Sequence, residues 1–252
     1  MGKKILKAVI IFLLIVLIVG AAAFGVLAYN GYEKYKAIVE KDPLDNKVAS
    51  LRNKTSYVKY EDVAENYFNA VVAVEDERYW KHGAIDIKGL CRAVFINLSS
   101  EDRTEGGSTI TMQVAKNFYF VGNDQIPARD RKVIEIYMAF ELQKKYTKKE
   151  ILEMYANLIN FGSGYTGISN ASEGYFQKAP SELDLAESIM LAGVPNAPSA
   201  YSPRSSKDLC KSRMGKVIDS MVSNKYITRE EANKIDMGFI DRIYAEYHEG
   251  EE

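Results

Sequence analysis

Residues 8–29 read AVIIFLLIVLIVGAAAFGVLAY, without one charged side chain. A bilayer's hydrocarbon core is ~30 Å thick, and a helix of about 20 such residues crosses it. In lipid, a helix also satisfies its own backbone hydrogen bonds. The run is apolar all round, whereas a helix at the surface of a soluble body keeps a polar face. Lys3, Lys4 and Lys7 precede it and favour a cytoplasmic N-terminus, which places the rest of the chain outside the cytoplasm. A cleaved signal peptide has a shorter apolar region, about 7–15 residues, ending at a small-residue site. Here Ala21, Ala22 and Ala23 fall inside the run, so an uncleaved anchor is expected.

The chain has 252 residues, suited to one body of ordinary size plus an appendage. Hydrophobic residues make up 47%, enough for a sizeable core. A net charge of -1 argues against a nucleic-acid partner. Cys91 and Cys210 make no disulfide framework and no CxxC spacing, and His82 and His248 are the only histidines. A structural zinc site is therefore not expected, and both cysteines read as small buried hydrophobes.

Composition divides the chain into a basic N-terminus (1–7), the anchor (8–29), a polar and weakly periodic stalk (30–57), a body (58–240) and an acidic tail (241–252). In the body, Val63, Tyr67, Val71 and Val74 recur at helical spacing, which predicts a helix over 61–74. A second is predicted over 87–98. A polar break over 99–107 follows. Ser108 can then cap a helix running to residue 118, and 117–129, with Gly122, Asn123, Asp124 and Pro127, reads as a loop. Residues 131–146 are again helical. Thr147 and Glu150 form a capping box for a helix over 148–159. Gly162, Gly164 and Gly167 mark 161–167 as irregular. The stretch 181–184 starts a helix with Leu185, Ile189 and Ala192 as its apolar stripe, ended by Gly193 and Pro195. Thr228 with Glu231 opens a short final helix. Long β-type alternation is scarce, so the fold class is mainly α.

The residues that carry chemistry fall in separate stretches. Glu75 and Asp76 sit where an apolar helix ends, facing the negative end of its dipole. Apolar neighbours and that dipole both disfavour the ionised carboxylate, the setting of a general base near neutral pH. A solvated acidic pair is the plain reading of the same residues, and His82 alone reads as structural. In the next stretch, Gly106 and Gly107 admit a close ligand, and Ser108 exposes free amides at a helix start. Thr109, Gln113 and Lys116 then share one helical face, offering a hydroxyl, an amide and a cation. Further on, Arg131 and Lys132 precede Glu135 by four and three positions on one face. This is either a weak surface ion pair or a cation set for a diphosphate, with a carboxylate to orient it or to hold a divalent metal.

Their order resembles the peptidoglycan glycosyltransferase family, the domain shared by class A penicillin-binding proteins and monofunctional transglycosylases. The likeness runs from about Val63 to Pro203. The family's Glu-Asp-x-x-Phe-x-x-His-x-Gly appears as Glu75, Asp76, Tyr79, His82 and Ala84. Its Gly-Gly-Ser-Thr-Ile-Thr-Gln-Gln appears over 106–113, with Met112 for the first glutamine. Its Arg-Lys-x-x-Glu is Arg131, Lys132 and Glu135. A fourth motif resembles Ile151 through Ile168, and a fifth Glu187 through Pro203.

The resemblance implies a lysozyme-like helical head with a small membrane-proximal jaw, preceded by one transmembrane helix. It implies transfer of a growing glycan on undecaprenyl diphosphate onto the 4-hydroxyl of lipid II, with inversion. Glu75 would be the base and Glu135 a second essential carboxylate, with Asp76 and His82 in support. Ser108, Thr109, Gln113, Lys116, Arg131 and Lys132 would bind substrate and diphosphate, with Arg92 a further candidate. Mg²⁺ or Mn²⁺ at Glu135 is the one cofactor implied, and no organic cofactor is expected. The cytoplasmic membrane and other cell-wall synthesis proteins are the implied partners. Phe118, Tyr119, Phe120 and Val121 fall where the jaw is expected, as a segment that dips into the bilayer interface or one that packs in the core. Two rivals share the fold: a glycan-cleaving enzyme of the lysozyme or lytic transglycosylase kind, and a non-catalytic membrane scaffold. A transpeptidase is not expected, since Ser56 and Lys59 have no Ser-x-Asn or Lys-Thr-Gly partner and about 49 residues follow Pro203.

Overall fold

The computed structural model describes residues 2–99, 106–121 and 126–249. Most of the polar break expected over 99–107, the loop residues Gly122, Asn123 and Asp124, and Gly250, Glu251 and Glu252 of the tail lie outside the described residues. Among the described residues the structure is helical, apart from an isolated bridge between Asn160 and Thr166.

The apolar run forms the first part of α1 (Gly2–Lys41), long and apolar enough to cross a membrane, with none of its most apolar window buried against the body. The helix does not stop where the run ends, so the expected stalk is corrected. Its first part is the end of α1, and its second is α2 (Leu44–Arg52), whose Leu44, Val48 and Leu51 are buried in the core. Pro43 separates the two, because the residue before a proline is disfavoured in the α conformation.

α3 (Glu65–Glu75) starts later than expected, because Val63 is extended and the Ala64 amide donates to the Pro180 carbonyl at 2.9 Å instead of to a helical turn. α4 (Ile87–Ser99) agrees with the sequence reading. α5 (Ile110–Tyr119) is capped by Thr109, not by Ser108: the Thr109 hydroxyl accepts from Met112 N and donates to the Ala84 carbonyl at 2.8 Å. α6 (Ala128–Lys145) begins one turn early, after Pro127, so the loop expected over 117–129 is shorter at both ends. α7 (Lys148–Leu158) has the predicted capping box.

The glycine segment 161–167 is irregular, with Gly162, Gly164 and Gly167 at positive φ. After it come α8 (Ile168–Phe176), α9 (Leu185–Gly193), the single turn α10 (Pro198–Tyr201) and α11 (Lys207–Ser223). Asp184, with Glu187, caps α9. Thr228 caps α12 (Arg229–Asn233), but this is not the final helix: the supposed acidic tail is largely α13 (Gly238–Glu249), docked on α11 through Ile240 and Ile243.

One core unites these helices. α3 packs between α9 and α11, and α5 between α6 and α7, with Tyr67, Phe68, Tyr155 and Phe161 fully buried among them. Each such side chain removed from water contributes about 1.5–3 kcal/mol. Phe118 and Phe120 belong to this core, and Tyr119 donates to the Asp42 carbonyl at 3.1 Å, leaving Val121 exposed. The packing alternative therefore holds for Phe118 and Phe120.

Candidate active site

The C-terminal end of α3 delivers two carboxylates to different places. Glu75 is the last helical residue, and its carboxylate is nearly enclosed, with 12% of the side chain exposed. Gln113 Nε2 of α5 donates to Oε2 at 2.9 Å, and Arg213 Nη2 of α11 donates to Oε1 at 3.1 Å. The expected apolar setting is therefore corrected: a guanidinium offsets the negative end of the α3 dipole. Below Glu75 lie the buried phenols of Tyr67 and Tyr155. Burial first, and then the Glu75 charge, hold both well above the ordinary tyrosine range. Neither hydroxyl has a hydrogen-bond partner among the described residues.

Asp76 turns away and ties the two motif segments together. Its Oδ2 accepts from the Ile110 amide at the N-terminus of α5, at 3.1 Å, where a negative charge suits the helix dipole. Its Oδ1 lies 2.6 Å from His82 Nε2, while the other ring nitrogen faces the Gly83 carbonyl at 2.6 Å. Burial disfavours the charged imidazole, but the hydrogen bond and charge of Asp76 outweigh it and raise the His82 pKa.

In the same cleft as Glu75, α6 contributes two cations. Lys132 Nζ donates to Ser108 Oγ at 2.6 Å and to Glu135 Oε2 at 3.1 Å. Glu135 is buried, so its charge is balanced where it stands. Arg131 donates from Nη2 to the Ile126 carbonyl at 3.2 Å. Lys116 is exposed on α5. Glu75, Ser108, Gln113, Lys116, Arg131, Lys132 and Glu135 line one cleft of about 740 Å³, together with Arg213.

Other expected site residues stand elsewhere. Asp76 and His82 do not line this cleft, although Asp76 borders a smaller pocket beside it. Thr109 was expected to share a ligand-binding face with Gln113 and Lys116, but it is buried and its hydroxyl is held by the α5 cap. Arg92 pairs with Glu77 and lines a smaller adjoining pocket of about 240 Å³ that Glu75 also reaches. Arg213 was missed. It lies past the motifs read from the sequence, and only the folding of α11 against α3 reveals it.

A protein-held metal fits Glu135 poorly, because its carboxylate already pairs with the Lys132 ammonium. The one group of metal-competent side chains among the described residues is Asp76, His82 and Asp86, with ligand atoms within 4.8 Å of one another. Those atoms already bond within the protein, Asp76 to His82 and Asp86 to Arg78.

An all-helical body with a carboxylate and several cations in one cleft, on a helix long and apolar enough to cross a membrane, fits a membrane-anchored enzyme that handles an anionic substrate. Residues 44–222 match the profile of the Transglycosylase family. A transglycosylase-named protein of Cupriavidus necator is 37% identical over 231 residues, covering 91% of this chain and 94% of that protein. Penicillin-binding protein 1A of Neisseria lactamica is 35% identical over 247 residues, covering 93% of this chain but 31% of that protein. The protein of the same name from Haemophilus influenzae is 33% identical, and the chain spans 28% of it. The chain belongs to the Transglycosylase family and is a glycosyltransferase, as its motifs led one to expect.

Proposed function

We propose that this protein polymerises peptidoglycan glycan strands, joining a growing lipid-diphosphate-linked glycan to the 4-hydroxyl of the terminal N-acetylglucosamine of lipid II. The observation that supports it is the placement of Glu75 in a single cleft with Lys116, Arg131 and Lys132. A glycan-cleaving enzyme has no use for such cations, since no phosphate leaves in its reaction.

Glu75 Oε accepts the proton of the acceptor 4-hydroxyl as that oxygen bonds to the donor's anomeric carbon. The bond from that carbon to the diphosphate oxygen breaks on the opposite face, so the configuration inverts. The electron pair departs on undecaprenyl diphosphate, whose growing charge the cations of α5 and α6 stabilise. Gln113 holds Glu75 in place, and Lys132 exchanges its contact with Ser108 for a phosphate oxygen. No step needs a metal at Glu135. The basic residues before the apolar run favour an outward-facing cleft on a single-pass anchor.

Incubating labelled lipid II, and separately finished glycan, with wild type and Glu75→Gln tests this. Long chains made from lipid II by the wild type, with a loss of about 10²–10⁴-fold in the variant, are the expected result. Finished glycan shortened by the wild type, or no chains made from lipid II by either protein, overturns it in favour of the cleaving enzyme or the scaffold, and equal polymerisation by the variant removes Glu75 as the base.

A further inference from the structure

The anchor helix is also part of the catalytic body. The last turns of α1 pack along α6, the helix that carries Arg131, Lys132 and Glu135. A tight contact lies at the buried Gly31, where a Cβ would lie 2.3 Å from Val133 Cγ1 and 3.0 Å from Val133 Cβ. A side chain at position 31 would displace Val133, so glycine leaves the room its side chain occupies. Around it, Tyr137 Oη donates to the Ala28 carbonyl at 3.2 Å. The rings of Tyr32 and Tyr35 lie 5.4 and 5.8 Å from that of Tyr137. Tyr35 Oη donates to Glu141 Oε2 at 2.6 Å, and Lys34 pairs with Asp130.

The height of this contact follows from helix geometry. Gly31 comes two positions after Tyr29, the end of the uncharged run. At 1.5 Å per residue it stands about 3 Å beyond the hydrocarbon edge, within a headgroup layer about 5–7 Å deep. Val133 follows Lys132 directly in the chain. Packed helix axes lie about 8–10 Å apart, so the α6 cations stand at nearly the same height, one helix to the side. A diphosphate esterified to a membrane lipid occupies that layer.

We propose that the contact of Gly31 with Val133 and Tyr137 is a positioning clamp, which sets the cationic cleft at the level of lipid-borne diphosphates. This rests on the proposed function only for the class of substrate. Gly31 and Tyr137 touch no reacting atom. They act through the placement of α6, so weakening them should affect a substrate confined to the membrane and spare one that arrives from solution.

The test uses the full chain in phosphatidylglycerol vesicles and two substrates with the same disaccharide diphosphate, one on a long membrane-borne chain and one on a short water-soluble chain. Gly31→Leu is expected to lower kcat/KM for the membrane-borne substrate by about tenfold or more, as misplacement of a site typically does. The short-chain substrate should change by less than about twofold. Gly31→Ala should show a smaller version of the split, and Val133→Ala added to it should restore the wild-type ratio by making room for the methyl group. Unchanged use of the membrane-borne substrate by Gly31→Leu, or an equal fall on both substrates, overturns the clamp. A wild type that extends neither substrate overturns the proposed function, and the clamp with it.

Discussion

The Arg213 guanidinium reaches the Glu75 carboxylate at 3.1 Å across 138 positions of chain. Gly193 makes the path, since a Cβ there would meet Arg213 Cγ at 3.1 Å. The Gly193 carbonyl also accepts from Arg213 Nε at 3.2 Å, so one guanidinium serves the C-terminal ends of both α9 and α3. Each end carries partial negative charge, which a cation offsets. The proposed base is thus held from two sides, by Gln113 of α5 and Arg213 of α11.

Removing Arg213 should therefore release Glu75 and leave its enclosed charge unbalanced. Arg213→Gln is expected to lower kcat by about 10²-fold, the usual effect of a displacement near 1 Å. Gly193→Val should act in the same direction by pushing Arg213 aside. Initial rates on labelled lipid II measure both, and a kcat unchanged in Arg213→Gln would show that Gln113 alone fixes the base.

His82 gives a stability signature in pH. Its folded pKa is raised above the ordinary value, mainly by Asp76 acting against burial. The folded state therefore holds the proton more tightly than the unfolded chain, which stabilises the protein fully below the unfolded pKa of about 6.5 and is lost as pH rises through the folded value. The gap in Tm between wild type and His82→Gln should be wide at acidic pH and narrow on the alkaline side. A gap that widens with pH would contradict the Asp76 pairing.

Tyr67→Phe should be neutral or stabilising. The phenol is fully buried, its hydroxyl has no partner among the described residues, and the Glu75 charge lies close by. An unsatisfied buried hydroxyl costs about 1–3 kcal/mol, and phenylalanine keeps the ring while removing it. Chemical denaturation measures the difference, and a loss of stability would reveal a hydrogen bond to that hydroxyl.

Local signals made part of this protein legible in its sequence. The capping box at Thr147 and the helix start at Thr228 stand as read, because each is settled within a single helical turn. The cleft was legible as residue types: Glu75 at a helix end, and Gln113, Lys116, Arg131, Lys132 and Glu135 on faces of α5 and α6. Tertiary contacts decided the rest. Ser108 and Thr109 both carry a hydroxyl, and the Ala84 carbonyl and Lys132 determine which of them caps α5. The polar end of α1 shows little periodicity because it is paired through Gly31 and a tyrosine cluster instead of an aliphatic stripe. In α13 the acidic composition concealed Ile240 and Ile243, spaced for one helical face. No local pattern marks Arg213, whose meaning comes from a helix folding back across the site.

The pair formed by Lys132 and Glu135 separates structural from chemical roles on one helix. Glu135 has 6% of its side chain exposed against 44% for Lys132, so the carboxylate depends on the ammonium more than the reverse. Lys132→Met leaves a buried charge unbalanced and should destabilise the fold by roughly 1–3 kcal/mol. Glu135→Gln added to it removes that charge and should return most of the stability, since a buried pair replaced on both sides is often neutral. Polymerisation should not return, because the phosphate-facing cation is still missing. Denaturation midpoints and initial rates on the same preparations measure the two effects. If the double variant recovered activity along with stability, Lys132 would be a packing partner of Glu135, and the diphosphate would have to be held by Lys116 and Arg131 alone.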